Sequence, residues 1–286
     1  MNKMPFTLKI PESRDTSVVF ASPHSGREYG RRFLRKSILD EQMIRTSEDA
    51  FVDLLFDSAP EHGAVFLAAN FPRAFVDLNR NADELDSALI DGIKKSAPNP
   101  RIASGLGVVP RVVSGGRPIY RGKIPQEEAS TRIAEYWRPY HDTLYQIMAD
   151  NRAKFGEAIL VDCHSMPHEA LDGLVRSGMR RPEVVLGDRF GASAGDHIVS
   201  EIEDIFRRHG LTVARNTPFA GAYIAKRYGR TNINQHAVQI EIDRSLYMNE
   251  QLIRPNGNFD TFRSMMQTIT REIAAIGRKD VQLAAE

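Results

Sequence analysis

The chain lacks several features that would each open a class of function. It has one cysteine, Cys163, in 286 residues, so no internal disulfide is possible and a reducing compartment is expected. It carries almost no net charge: 38 basic and 37 acidic side chains leave +1. That balance supplies no electrostatic drive toward nucleic acid or an anionic membrane. No apolar run approaches the roughly 18 residues needed to span a bilayer. The opening Met1-Asn2-Lys3-Met4-Pro5-Phe6 has no apolar core of a signal peptide. The expectation is a cytoplasmic protein whose partner is a small molecule, with neither nucleic acid nor membrane involved. What remains is 42% hydrophobic and 26% charged, the profile of a globule that can bury a sizeable core.

Strand-like and helix-like patterns alternate along the chain. Short β-branched or apolar runs read as strands at Val18–Phe20, Ala64–Ala69, Ala74–Leu78, Ala158–Cys163, Glu183–Leu186, Leu211–Ala214 and Ala237–Ile242. Helical periodicity covers Glu127–Phe155, Ala194–His209 and Phe259–Ile276, with a further helix of about fifteen residues expected after Ser47. In the first of these Ile133, Trp137, Tyr140, His141, Leu144 and Ile147 share one face, and Pro139 should kink or split it. Ser96–Pro125 is rich in Gly and Pro and reads as a long loop of the lid or binding kind. With no repeat, linker or low-complexity tract, the pattern predicts an α/β fold: one three-layer domain over residues 1–286, a mixed central sheet flanked by helices.

Two histidines recur in one setting. Val18-Val19-Phe20-Ala21-Ser22 breaks at Pro23-His24-Ser25-Gly26, and Ala158-Ile159-Leu160-Val161-Asp162-Cys163 breaks at His164-Ser165-Met166-Pro167. Ligands collect beyond the carboxyl ends of strands in open α/β sheets, so His24 and His164 suggest half of a metal site. A catalytic zinc adds about one acidic ligand and keeps a position open. Glu28, Glu48 and Asp49 are the acids within reach in sequence, although Ser47-Glu48-Asp49 equally reads as a helix cap. Gln239, Glu241 and Asp243 point to one face of a strand. That is either the solvated face of an edge strand or, for Glu241, a general base. Arg80 closes the Asp77-Leu78-Asn79-Arg80 run and could bind a carboxylate or polarise a carbonyl. Gly191-Ala192-Ser193-Ala194-Gly195 matches the serine-hydrolase elbow, but no strand runs into its first glycine, and Ser193 with Asp196 reads better as a helix cap.

Taken in order, these segments resemble the N-formylglutamate amidohydrolase family. The matching pieces are Ser22–Gly26, Glu48–Leu54, Val76–Arg80, Gly116–Tyr120, Tyr136–His141, Val161–Ser165, Gly221–Ile224 with Arg227–Gly229, and His236–Ile242. Each is weak alone, but together they span nearly the whole chain. The resemblance implies a fold similar to zinc carboxypeptidases and hydrolysis of the N-formyl amide of an amino acid such as glutamate, a step of histidine breakdown. It implies Zn²⁺, or another divalent metal, held by His24, His164 and an acid. Carboxypeptidases place that acid three residues after the first histidine, where this chain has Arg27, so Asp49 takes the role, with Glu48 and Glu28 as alternates. It also implies Glu241 as catalytic glutamate and Asn79 with Arg80 as the substrate-holding pair, Arg80 or Arg111 serving the oxyanion. Arg111, Tyr120, Tyr223 and Arg227 join the substrate-binding candidates. The competing readings are a non-catalytic metal- or small-molecule-binding protein on the same scaffold and a serine hydrolase using Ser193.

Overall fold

The structure, a computed structural model, describes residues 4–94, 99–174 and 180–278. The first residues of the expected Ser96–Pro125 loop, Ser96 to Pro98, lie outside them. A mixed sheet organises the chain. Its strands follow the spatial order Phe6–Lys9, Val65–Ala69, Val18–Ser22, Ala158–Met166, Gln235–Asp243, Val184–Gly187 and Val213–Arg215. Phe6–Lys9 runs antiparallel to Val65–Ala69, and Val184–Gly187 antiparallel to Gln235–Asp243. The other neighbours are parallel.

Strand alternation sends side chains into two cores, one on each face. Val18, Phe20, Phe66, Ile159, Val161, Val238 and Ile240 pack with helices Asp196–Arg208 and Phe259–Ile276. Val19, Ala21, Leu67, Leu160 and Ala237 pack with helix Arg138–Phe155 on the opposite face. A sheet buried on both faces reads as continuous apolar runs, which is why its strands were visible in the sequence. Among the described residues no helix is long and apolar enough to cross a membrane.

Several elements differ from expectation, each for a local reason. The helix expected after Ser47 is reduced to one α-turn, Val52–Leu55, and a 3₁₀ turn, Ala59–His62; another 3₁₀ turn, Met43–Ser47, precedes them. Just before Val52–Leu55, Phe51 adopts φ 68°, which a continuous helix forbids. Ser47 is no cap: its hydroxyl accepts the Ser114 backbone N–H at 3.1 Å. Ala74–Leu78 is not a strand but a turn, because the Asp77 carboxylate accepts the Asn79 N–H at 2.8 Å and folds the chain back on itself. The split anticipated at Pro139 takes the form of a π turn, Ile133–Trp137, between helices Gln126–Arg132 and Arg138–Phe155. Pro139 then sits in the first turn, where its missing N–H is harmless. The Gln235–Asp243 strand is central rather than an edge, flanked on both sides by other strands.

Gly26 closes the turn after strand Val18–Ser22, where the backbone of Phe71 crosses. A Cβ there would stand 2.0 Å from the Phe71 carbonyl oxygen, a clash with backbone that cannot rotate away. Gly26→Ala should lower the unfolding free energy by about 1–3 kcal/mol, read from urea midpoints; an unchanged midpoint would mean that the two segments are not in close contact.

Candidate active site

Three segments far apart in sequence meet at the carboxyl end of the sheet. His24 stands two residues past Val18–Ser22. His164 lies within its strand, which runs on to Met166 because it pairs along its whole length with Gln235–Asp243. Asp49 arrives from the turn between Met43–Ser47 and Val52–Leu55, its N–H donating to the His24 carbonyl at 3.1 Å. All three are buried, and one ligand atom from each lies within 4.8 Å of the others. His164 Nδ1 is 2.9 Å from Asp49 Oδ2, and His24 Nδ1 is 3.4 Å from the same oxygen.

The far nitrogens of both rings lie close to further carboxylates. Asp77 Oδ1 lies 2.8 Å from His24 Nε2, and Asp162 Oδ1 lies 3.0 Å from His164 Nε2. Carboxylate–imidazole pairs of this kind orient metal-binding histidines and raise their basicity. His24 Nδ1 is buried with no hydrogen-bond partner, an unsatisfied acceptor at the point where the three side chains converge. Two imidazole nitrogens and one carboxylate oxygen fit a divalent metal ion of the catalytic type. Glu48 takes no part: it accepts the Tyr29 hydroxyl and two hydrogen bonds from Arg45. Glu28 lines a separate groove of about 1280 Å³ that contains neither histidine.

Electrostatics couple the cluster. Burial works against charge on Asp49, but His164 and His24 outweigh it and hold the carboxyl well below its usual range. Arg244 adds a hydrogen bond from Nη2 to Asp49 Oδ1 at 2.9 Å. Burial likewise opposes charge on His164, yet Asp162 and Asp49 keep its imidazole well above the ordinary value. Glu241 sits on the neighbouring strand, in register with His164. Burial pushes its carboxyl up to about 7, with the His164 charge opposing the rise and Asp49 adding to it. Gln239 Nε2 donates to Glu241 Oε1 at 2.8 Å and fixes the rotamer.

A cavity of about 540 Å³ opens over this floor, and His24, Asp49, His164 and Glu241 line it together with Asn79 and Arg80. The Asn79–Arg80 turn is pinned from behind. Trp137 Nε1 donates to the Arg80 carbonyl at 2.9 Å, and His141 Nε2 lies 2.9 Å from the Leu78 carbonyl oxygen. Asn79 itself is held inward, its Oδ1 accepting the Ile224 N–H and its Nδ2 facing Gln239 and His164. Arg80 donates from Nε to Leu106 and from Nη1 to Asn79.

Four expected binding residues are not part of the cavity lining. Arg111 is tied to Asp86 and to the Ala103 carbonyl, and so braces the loop. Tyr120 is buried against Phe33 and accepts a hydrogen bond from Arg132. Tyr223 and Arg227 stack with Trp137, one layer behind Arg80. Ser193 is buried and its hydroxyl donates to the Ala237 carbonyl; it is neither an accessible nucleophile nor a helix cap, the cap position being Gly195. Conversely, Arg73, Arg101 and Arg244 line the cavity and were not singled out by sequence. Asp162 had a readable signal, two residues before His164 and therefore on the same face of one strand. The Arg244–Asp49 pair, 195 residues apart, had none.

The fold and site are those of a known hydrolase class. The chain belongs to the N-formylglutamate amidohydrolase family, whose model matches residues 16–248. It is 34% identical over 221 residues to an N-formylglutamate deformylase of Pseudomonas aeruginosa, covering 75% of this chain and 76% of that protein. It is 30% identical over 240 residues to one from Pseudomonas putida, with 82% of each chain covered. The crystal structure of an N-formylglutamate amidohydrolase from Ralstonia eutropha superposes with a TM-score of 0.89 at 34% identity, covering 96% of this chain and 99% of the other. A protein of Agrobacterium tumefaciens, at 16% identity and a TM-score of 0.64, shares the fold over 96% of both chains.

His141, fully buried beneath the Leu78–Arg80 turn, is held neutral: burial pushes its imidazole down from 6.5 to about 3. Between those values the unfolded chain binds a proton that the native state refuses, so stability falls as pH drops from about 6.5 toward 3. On going from pH 7.5 to pH 5, His141→Gln should lose about 2 kcal/mol less unfolding free energy than the parent. Equal losses in urea titrations would show that His141 does not carry this penalty.

Proposed function

We propose that the protein is a zinc-dependent N-formylglutamate deformylase of the cytoplasm, converting N-formyl-L-glutamate and water to formate and L-glutamate, as in histidine breakdown. One observation carries the reading: in a chain of this family, a glutamate poised near neutrality shares a cavity with a buried two-histidine, one-aspartate cluster. His24, Asp49 and His164 would hold the metal. When bound, zinc supplies Lewis-acid chemistry, acidifying water and polarising a carbonyl.

The remaining steps belong to side chains. Glu241, as carboxylate, removes a proton from the attacking water, whose oxygen adds to the formyl carbon. A carboxyl near 7 also holds that proton well enough to return it to the departing amine as the C–N bond breaks. Among the described residues Arg73 uses only Nε, donating to Asp77 at 3.0 Å, which leaves its terminal nitrogens to offset charge on the carbonyl oxygen. Arg80, whose Nη2 has no hydrogen-bond partner among the described residues, takes the α-carboxylate. Asn79 contributes by holding Arg80, Gln239 and His164 in place rather than by contact with the substrate.

The test is formate release from N-formyl-L-glutamate by zinc-loaded and chelator-stripped protein. Activity present with zinc and lost without it is expected; a folded, zinc-loaded sample that cleaves no N-formyl or N-acetyl amino acid would refute the reading. Glu241→Gln should lower kcat at least ~100-fold with zinc content unchanged, and a near-normal rate would remove Glu241 as the base.

A further inference from the structure

Four arginines line the cavity, and three of them hydrogen-bond to protein groups. Arg73 pairs with Asp77, Arg244 with Asp49 and Ser165, and Arg80 with the Leu106 and Asn79 carbonyls. Arg101 has no hydrogen bond or ion pair from its side chain among the described residues. It faces the same cavity, close enough to Arg80 for the two positive charges to repel; burial first, then Arg73 and Arg101, lower the pKa of Arg80 against the pull of Asp77. Among the described residues neither Arg80, bound to backbone carbonyls, nor Arg101 has a carboxylate in hydrogen-bond contact, so these two of the four guanidinium groups can each take an anionic group.

The segment carrying Arg101 is built to hold position. Asn99 caps the short helix Pro100–Ala103 by accepting the Arg101 and Ile102 N–H groups. The Leu106 N–H donates to the Arg101 carbonyl at 2.8 Å. From outside, Arg80 binds the Leu106 carbonyl and Arg111 binds the Ala103 carbonyl. Arg111, expected to touch substrate, thus secures the loop that presents Arg101.

We infer that Arg101 is the specificity-determining residue for an acidic side chain on the substrate, binding the distal carboxylate while Arg80 binds the α-carboxylate. This rests on the deformylase reading of the same cavity. It makes the pocket selective for dicarboxylic N-acyl amino acids over their neutral amides. An amide of the same shape cannot accept a charge-assisted, bidentate pair, and such bonds are roughly twice as strong as neutral ones.

The test compares zinc-loaded parent, Arg101→Gln and Arg101→Lys in two measurements. The first is the ratio of kcat/KM for N-formyl-L-glutamate over N-formyl-L-glutamine. The second, which needs no turnover, is the ratio of calorimetric affinities for the free amino acids L-glutamate and L-glutamine. Arg101→Gln should reduce both ratios by about 10- to 100-fold, and Arg101→Lys should keep most of the preference. Ratios in Arg101→Gln within twofold of the parent would overturn the assignment. If the parent releases no formate but its preference for glutamate over glutamine still depends on Arg101, the hydrolytic reading falls and the assignment of Arg101 stands.

Discussion

The carboxylate of Asp49 is the constraint on which the rest of the structure depends. Removing a carboxylate from water costs several kcal/mol unless partners replace the lost hydration. Here the partners come from three other places in the chain: His24 after the first central strand, His164 on the next, and Arg244 just past Gln235–Asp243. All four segments must therefore dock together. The same requirement explains why the stretch after Ser47 is not a helix: the chain has to turn Asp49 inward, and Phe51 takes up a left-handed conformation to allow it.

One face of the sheet changes character along its length. On Ala158–Met166 the side chains facing helix Arg138–Phe155 run from Leu160 to Asp162 to His164; on Gln235–Asp243 they run from Ala237 to Gln239 to Glu241. The apolar end anchors the helix, and the polar end forms the floor of the cavity. Because these polar groups remain under protein rather than solvent, their proton affinities separate. Asp49, flanked by imidazoles, stays ionised, while Glu241, with fewer partners, is pushed up to about 7. Two carboxyl groups of similar chemistry thus acquire different proton affinities from burial and neighbouring charge.

Behind the cavity lies a supporting layer outside its lining. The π turn places Trp137 under the Arg80 carbonyl, and His141 with Tyr228 fills the space below Leu78. Tyr223 and Arg227 stack onto this layer. Residues that family resemblance marks for function can therefore act at one remove, by holding the arginines that face the cavity. A net charge near zero conceals this local concentration of cations over a carboxylate-rich floor.

Much of the architecture was legible along the chain, because a sheet covered on both faces writes itself as apolar runs and its covering helices as amphipathic ones. Helix Phe259–Ile276, the strand leading to His24 and the strands bearing His164 and Glu241 needed only that periodicity. So did the shared face of Gln239, Glu241 and Asp243. Sequence also placed both histidines near strand ends and Asp49 among the candidate acids. Tertiary structure alone decided which acid turns toward the histidines, since Glu28, Glu48 and Asp49 are chemically alike and differ only in the direction the chain leaves them facing. It alone set the duties of the arginines: Arg111 and Arg227 brace, whereas Arg73, Arg101 and Arg244 face the cavity. Local pattern reports what a residue can bury, but which charge meets which depends on chain separations as long as the 195 residues between Asp49 and Arg244, and those are set only when the sheet closes.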